Sequence, residues 1–210
     1  MVRPIGVLGL QGDFDAHRTA LSEVGVESIV VRWPRQLEEV DGLIIPGGES
    51  TTLRKLMDAV GFEESIRRFH SGGGALFGTC AGAIVLARHV TDPEQGSLGL
   101  IDITIRRNAY GRQRESFESA GGDVEREAAD ALGAGRVPLI LIRAPRITSC
   151  GTGVSVLIRH QGEPVLVRQR NVLAGTFHPE LAAERAVHRY FVDMVCETGV
   201  SSQVPHGSLS

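Results

Sequence analysis

The segment Gly78-Thr-Cys80-Ala-Gly82 places a cysteine between two glycines, each two positions away. An apolar strand-like run precedes it, and an apolar helix-like run to Val90 follows. This pattern is typical of a nucleophile elbow, with cysteine where G-x-S-x-G hydrolases have serine. The N–H groups that begin the helix would then favour the reactive thiolate. A small, buried structural cysteine fits the same segment, so both interpretations stand at this point.

A candidate base and a group to orient it lie together near the end of the chain, in His178-Pro179-Glu180. Pro179 disfavours helix at His178, and residues i and i+2 of an extended chain face the same side. His178 can therefore take the thiol proton while Glu180 holds the imidazole. Alternatively, Pro179 and Glu180 simply begin the last helix, and His178 is a surface histidine. The other histidines and the other two cysteines are expected to be structural or solvated.

Acyl transfer also requires N–H donors for an oxyanion. The backbone groups of Gly48 and of Ala81, directly after the cysteine, are the candidates. Two adjacent glycines after Pro46 permit the close backbone approach that such a site needs. A plain turn would have the same sequence.

The elements that must position these groups alternate between strand and helix over the first half of the chain. Short apolar strands are expected at 5–10, 28–32, 40–45 and just before Cys80. Helices are expected after an aspartate cap (Asp13 or Asp15), after cap oxygens from 50–52, at 63–70 and from the cysteine to about His89. This alternation predicts an α/β fold with three α/β/α layers, in which a mixed, mostly parallel sheet carries helices on both faces.

Ligands of such sheets bind beyond the carboxyl ends of the strands. The Gln11-Gly12, Pro46-Gly48 and Thr79-Cys80 segments all fall at that edge. This convergence favours the functional interpretation of Cys80.

The second half of the chain is strand-rich and predicts an antiparallel extension of the sheet. Its expected strands lie at 102–106, 139–143, 154–159 and 163–168, with a turn at Gln161-Gly162. The segment 118–136 is expected to be an excursion with a short helix, and 181–197 a closing amphipathic helix. We expect residues 1–200 to form a single domain and 201–210 a disordered polar tail.

The composition of the 210 residues excludes several classes of protein. A net charge of −3 and a pI near 6.2 give no reason to expect nucleic acid or an anionic membrane as partner. Three scattered cysteines without a C-x-x-C pair make a disulfide framework or a zinc site unexpected and indicate a reducing compartment. The beginning of the chain does not resemble a signal peptide, and no apolar run would cross a bilayer. We therefore expect a cytoplasmic protein.

Longer stretches of the chain resemble the triad glutamine amidotransferases of class I, and within them the glutaminase subunits of pyridoxal 5′-phosphate synthases. Besides the cysteine and histidine motifs, the matching stretches are Gly6-Val-Leu-Gly-Leu-Gln11-Gly12, Pro46-Gly-Gly48-Glu49-Ser50-Thr51-Thr52, Arg107-Asn108-Ala-Tyr110-Gly111-Arg112-Gln113 and Ile142-Arg143-Ala144-Pro145. G-x-C-x-G is shared by many relatives, whereas P-G-G-E-S-T-T and R-N-x-Y-G-R-Q are far more specific. The resemblance extends from residue 5 to 180 and implies a flavodoxin-like fold.

The resemblance also implies a reaction. Cys80 would attack the side-chain amide of L-glutamine, release ammonia and leave a glutamyl thioester that water hydrolyses. His178 would shuttle the proton and Glu180 would orient the imidazole. The positions that match the family's glutamine site are Gly48, Glu49, Ser50, Arg107, Ile142 and Arg143.

The family further implies a partner but no cofactor or metal. Ammonia passes through a tunnel to a barrel-shaped synthase subunit, which uses it to make pyridoxal 5′-phosphate. Gln11 would lie near both the site and the interface between the subunits in this hetero-oligomer.

Three alternatives remain open at this point. The first is a class I glutaminase of another pathway, such as histidine synthesis. The second is a catalytically idle regulatory subunit, and the third is a cysteine peptidase. The first would keep the triad but does not account for R-N-x-Y-G-R-Q. The segment 120–135 is longer than the usual family segment and differs from it in sequence.

Overall fold

The computed structural model describes residues 3–107, 117–133 and 135–201. The strands are β1 (Ile5–Leu8), β2 (Ser28–Val31), β3 (Gly42–Ile45), β4 (Ala75–Thr79), β5 (Ala87–Thr91), β6 (Ile101–Arg106), β7 (Phe117–Val124), β8 (Arg136–Leu141), β9 (Arg146–Cys150), β10 (Ser155–His160), β11 (Glu163–Gln169) and β12 (Val172–Gly175). The α-helices are α1 (Phe14–Glu23), α2 (Ser50–Ala59), α3 (Phe62–Ser71), α4 (Ala81–Leu86), α5 (Ala129–Leu132) and α6 (Ala186–Ser201). Shorter 3₁₀ helices cover Pro34–Glu39, Arg126–Ala128 and Pro179–Leu181.

One mixed sheet organises the molecule, with the strand order β2-β1-β3-β4-β12-β11-β10-β7-β8. The pairings from β2 to β12 are parallel. Those from β12 to β8 are antiparallel. The predicted change from a parallel first half to an antiparallel extension is therefore confirmed, and β12 joins the two halves beside β4.

Helices cover both faces of the sheet because its central strands are apolar on both sides. Along β3, Leu43 and Ile45 join the core beneath α2, α3 and α4, whereas Ile44 joins the core beneath α1 and α6. Along β4, Leu76 and Phe77 divide in the same way. This alternation confirms the predicted three-layer α/β/α arrangement.

A second, three-stranded sheet has the order β5-β6-β9. It contains two of the segments misjudged from the sequence. The helix expected from the cysteine to His89 ends at Leu86, and the chain continues as β5. The predicted strand at 102–106 forms β6 of this small sheet rather than extending the main one.

Other boundaries also differ from expectation. The predicted strand at 139–143 ends at Leu141, because Arg143 has a positive φ of 46°. The segment 118–136 contains the expected short helix, α5, but its first part is β7, which pairs with β8 and β10. The closing helix begins at Ala186 rather than 181 and extends to Ser201. Residues 202–210, expected to be a disordered tail, lie outside the described residues.

Several local predictions are confirmed. Asp13, one of the two proposed caps, accepts the Ala16 N–H at the beginning of α1. Gln161 and Gly162, both at positive φ, form the turn between β10 and β11. None of the helices in the described ranges is long and apolar enough to cross a membrane.

Candidate active site

Cys80 lies in the strained turn between β4 and α4. Its φ of 48° and ψ of −104° are rare for a residue with a side chain. The flanking glycines are required by packing: a Cβ on Gly78 would lie 2.5 Å from the carbonyl carbon of Gly82, and one on Gly82 would lie 1.9 Å from the Ile45 oxygen. The Cys80 N–H donates to the Gly175 carbonyl of the neighbouring strand β12 at 2.8 Å. This is the elbow that the sequence predicts.

His178 and Glu180 follow β12, which lies directly beside β4 in the sheet. His178 Nδ1 is 2.8 Å from Glu180 Oε1. The segment is not extended as expected, because Pro179–Leu181 forms a 3₁₀ turn. The backbone N–H of His178 donates to the Ile140 carbonyl of β8 at 2.9 Å, which fixes where this turn begins. The two side chains nevertheless meet, as the sequence predicts.

The electrostatics of the site keep a proton on His178. Burial opposes its charged form, but hydrogen bonds to Cys80 and Glu180 outweigh this and raise the pKa of His178 to about 10. Burial also opposes the ionised form of Glu180, yet His17 and His178 lower the pKa of that carboxyl. An imidazolium between a sulfur and a carboxylate is therefore the form expected at neutral pH.

These groups open into a cleft of about 370 Å³ at the carboxyl ends of the parallel strands. The cleft includes the three triad candidates and most of the other residues named from the sequence. Its lining is formed by Gly12, Asp13, Gly47, Gly48, Glu49, Ser50, Cys80, Ile84, Arg107, Ile142, Arg143, His178, Glu180 and Leu181. Asn108 to Gln113, the rest of the R-N-x-Y-G-R-Q motif, lie outside the described residues.

Gly47 and Gly48 form the wall of the cleft that faces the triad. A Cβ on Gly47 would lie 2.6 Å from His178 Cε1 and 3.2 Å from Cys80 Cβ. Gly48 has a positive φ of 136° and lies against the side chain of Gln11. The oxygen of that side chain accepts the Glu49 N–H at 3.3 Å. The backbone therefore approaches the reacting groups as closely as the sequence suggests.

The prediction that residues 50–52 cap α2 is wrong, because the capping residue is Glu49. The oxygens come from Glu49, whose carboxylate accepts the N–H groups of Thr51 (2.9 Å) and Thr52 (2.7 Å). The hydrogen bonds from the Thr51 backbone N–H and from the Thr52 hydroxyl lower the pKa of Glu49 to about 2. Arg107 Nη2 donates to Thr51 Oγ1 at 2.9 Å and lies 3.4 Å from Glu49 Oε1. The carboxylate thus orders the beginning of the helix and holds a guanidinium over the cleft.

Other side chains in and behind the cleft carried no signal in the sequence. Gln95 accepts hydrogen bonds from the hydroxyls of Ser50 (3.1 Å) and Thr51 (3.3 Å). His17 and His188 are fully buried behind Glu180. From the sequence, both histidines are expected to be structural or solvated, and their complete burial makes them structural.

A second, larger cleft of about 560 Å³ lies at the opposite edge of the sheet, near the amino ends of β1, β3 and β4. Its lining contains neither cysteine nor histidine, and Arg3 pairs there with Asp41 at 2.9 Å. The smaller cleft is therefore the one equipped for nucleophilic chemistry.

The chain is similar to known proteins along nearly its whole length. A model of the SNO glutamine amidotransferase family matches residues 7–197. The chain is 51% identical to the pyridoxal 5′-phosphate synthase subunit PdxT of Koribacter versatilis over 191 residues, which cover 91% of this chain and 95% of that one. It is 49% identical to the subunit of the same name from Niallia circulans over 193 residues, covering 92% and 98%. A solved glutamine amidotransferase superposes with a TM-score of 0.83 at 47% identity, covering 91% and 98% of the two chains.

Proposed function

The chain belongs to the SNO glutamine amidotransferase family, and on that premise we propose that it hydrolyses L-glutamine to L-glutamate and ammonia. The observation that carries the chemistry is that Cys80, His178 and Glu180 line one cleft, with Cys80 in a strained elbow and His178 paired with Glu180. Such a series of nucleophile, base and orienting carboxylate is the usual apparatus of acyl transfer.

In the first half of the reaction, the Cys80 sulfur attacks the side-chain carbonyl carbon of glutamine. The imidazolium of His178 then delivers its proton to the departing nitrogen, so that ammonia leaves and a glutamyl thioester remains. A pKa near 10 keeps that proton available at neutral pH. In the second half, neutral His178 removes a proton from water, which attacks the thioester and releases glutamate.

The negative charge that develops on the carbonyl oxygen needs N–H donors. Ala81 is the first residue of α4, and the first N–H groups of a helix have no partner within the helix. Gly48 lies across the cleft at a positive φ. We assign the oxyanion hole to these two backbone groups.

Two guanidinium groups, those of Arg107 and Arg143, line the same cleft and suit the α-carboxylate of glutamine. Arg107 is held in place by Thr51 and Glu49. Ser50 and Ile142 complete the lining around the substrate chain, with the backbone of Gly48 and Glu49.

The ammonia is destined for a second protein. The relatives at 51% and 49% identity are named as subunits of pyridoxal 5′-phosphate synthase, and they align over more than nine-tenths of this chain. We therefore assign the partner as the barrel-shaped synthase subunit, with Gln11 near the interface. The three free thiols favour a cytoplasmic location for the pair.

The test is ammonia release from glutamine by the purified chain, alone and with a synthase barrel subunit. Cys80→Ala should abolish release, whereas Cys196→Ala, at an exposed thiol on α6, should leave it within about twofold of wild type. Release that appears or rises on adding the barrel would support both the chemistry and the pathway.

The alternatives give different results in the same assay. Release that the barrel does not affect would keep the triad chemistry but remove the pathway assignment. The absence of release in every mixture would favour a catalytically idle subunit.

A further inference from the structure

Behind the triad lies a buried row of polar side chains that the proposed reaction does not use. His17 of α1 and His188 of α6 are both 0% exposed, as is Thr79 at the end of β4. His17 Nδ1 is 3.1 Å from His188 Nε2, and His17 Nε2 is 3.2 Å from Thr79 Oγ1. His17 Nε2 also lies 3.4 Å from Glu180 Oε2. The imidazoles of His17 and His188 therefore connect Glu180 to the core of the protein.

The protonation of this row follows from burial. Burial lowers the pKa of His17, and burial together with His17 lowers that of His188 to about 3, so both imidazoles are neutral at pH 7. A neutral imidazole has one N–H and one acceptor nitrogen. Because Glu180 Oε2 can only accept, the His17 proton belongs on Nε2. His17 Nδ1 is then the acceptor, and His188 Nε2–H must be its donor.

The surrounding charges agree with this assignment. The charged and titratable groups that act on His17 are Glu180, His178 and Asp13, and those that act on His188 are His17, Glu180 and Arg185. Within the described residues, no group of three or more His, Cys, Asp or Glu side chains is placed to hold a metal ion. The unprotonated His188 Nδ1 is buried without a hydrogen bond, which costs less for a lone pair than for an N–H.

The second oxygen of Glu180 depends on this row. Oε1 forms a hydrogen bond with His178 Nδ1 at 2.8 Å. Oε2 is buried and has no hydrogen bond of good geometry. The Nε2–H of His17 lies between Thr79 Oγ1 and Oε2 and is the dipole that faces this oxygen. Phe77 lies edge-on to the His17 ring and packs beside it in the core.

We propose that His17 is a positioning residue, held in its tautomer by His188, whose Nε2–H supports Glu180 Oε2 and thereby keeps Oε1 on His178. This inference rests on the proposed function, since it assigns to Glu180 the orienting role. Without His17 the carboxylate would be free to turn, and the His178 imidazolium would lose part of its stabilisation.

The first test needs neither glutamine nor a partner. The protonation of the His178 ring is followed against pH by NMR in the wild type and in His17→Leu. The midpoint of the His178 titration should fall by about one pH unit in His17→Leu, because the Glu180 carboxylate would no longer be held beside the imidazolium. His89→Leu, at an exposed histidine of β5, is the control and should leave the His178 midpoint at its wild-type value. Equal His178 midpoints in the wild type and His17→Leu would overturn the inference.

A second pair of variants covers the case in which leucine prevents folding. Glutamine at position 17 can place an N–H near the imidazole Nε2, whereas asparagine places one near Nδ1. His17→Gln should therefore keep the wild-type His178 midpoint, and His17→Asn should lower it. If His17→Gln and His17→Asn shift the midpoint equally, or if His17→Gln shifts it more, then an N–H at the Nε2 position does not support Glu180 Oε2 and the inference is refuted.

Turnover with the synthase subunit gives an independent readout. His17→Leu should lower kcat about tenfold or more and change the KM for glutamine less than twofold, because His17 does not reach the cleft. Failure of the proposed function has a different signature: the His178 midpoint would shift in His17→Leu as expected, but no sample would release ammonia from glutamine.

Discussion

The carboxylate of Glu180 is almost completely buried, and each of its oxygens faces an imidazole. A buried charge is tolerated only when neighbouring groups compensate it, and here the compensation fixes the side chain in space. The pKa of His178 is raised by its hydrogen bonds to Cys80 and to Glu180, which stabilise the imidazolium. The position of the carboxylate therefore fixes the direction of the His178 ring and contributes to its protonation.

Replacing that carboxylate with an amide tests this dependence. Glu180→Gln removes the charge beside His178, so we expect the pKa of His178 to fall from about 10 toward its ordinary 6.5. The lower pKa would leave less imidazolium to protonate the leaving nitrogen, and kcat should fall about 100-fold or more. NMR titration of the His178 ring and ammonia release would measure the two effects.

The control for this change is Glu184→Gln, at an exposed carboxylate four residues away. It removes the same charge from the same segment without touching the imidazole. An unshifted His178 in Glu180→Gln, or an equal shift in Glu184→Gln, would show that the carboxylate does not set the protonation.

At the scale of elements, the elbow depends on the contact between α4 and β3. Gly82 packs against the Ile45 carbonyl so closely that a Cβ would lie 1.9 Å from its oxygen. Because the contact is with backbone, it cannot be relieved by turning a side chain. We expect Gly82→Ala to lower the free energy of unfolding by about 3 kcal/mol, as measured by urea denaturation.

Gly72→Ala serves as the comparison, because the nearest atom to a Cβ there is the Arg68 oxygen at 3.3 Å and the φ of −78° is ordinary. Its effect should stay within about 0.5 kcal/mol. Similar losses in the two variants would mean that the elbow is not especially crowded.

The beginning of α2 provides another test at this scale. Glu49→Ala removes the acceptor of two helix N–H groups and should cost about 1 kcal/mol of stability. Arg107 would keep its hydrogen bond to Thr51 but lose the ion pair with half-exposed Glu49 at 3.4 Å, which is worth under about 1 kcal/mol, so the KM for glutamine should rise by about fivefold or less. Glu39→Ala, at an exposed residue outside the cleft, should change neither quantity.

The elements show where sequence reasoning succeeds. Parallel strands such as Gly42–Ile45 are short apolar runs ended by Pro and Gly, so both their type and their functional edge were predictable. The run from Ala81 to Ala87 is apolar throughout, and such a run does not distinguish a buried helix from a strand. Its division into α4 and β5 was therefore missed.

The missed contacts in the site have another physical cause. His17 and His188 are 171 positions apart, and their contact depends on the packing of α1 and α6 against the same sheet face. Glu49 was overlooked as a cap because hydroxyl side chains follow it directly, and these are the more common capping groups. Local pattern predicted the triad, but not the groups that hold it.

At the scale of the whole molecule, the buried histidines connect the site to acid stability. The pKa of His188 is lowered from 6.5 to about 3, by burial first and by His17 second. Between these pH values the unfolded chain binds a proton at this residue that the folded chain does not. The free energy of unfolding should therefore fall as the pH falls from 6.5 toward 3, by about 1.4 kcal/mol per pH unit for each such proton. His17 acts in the same direction, since burial lowers its pKa too.

Removing one of these groups should flatten the acid side of the stability profile. Urea curves at several pH values give the slope of the unfolding free energy against pH. Between pH 6.5 and 4 this slope should be smaller in His188→Leu than in the wild type by about 1.4 kcal/mol per pH unit, the contribution of one proton. His89→Gln, at an exposed histidine of β5, should leave the slope unchanged. A His188→Leu profile as steep as that of the wild type would mean that His188 titrates alike in the folded and unfolded chains. The row behind Glu180 would then not be held neutral by the fold, and the tautomer assigned to His17 would lose its basis.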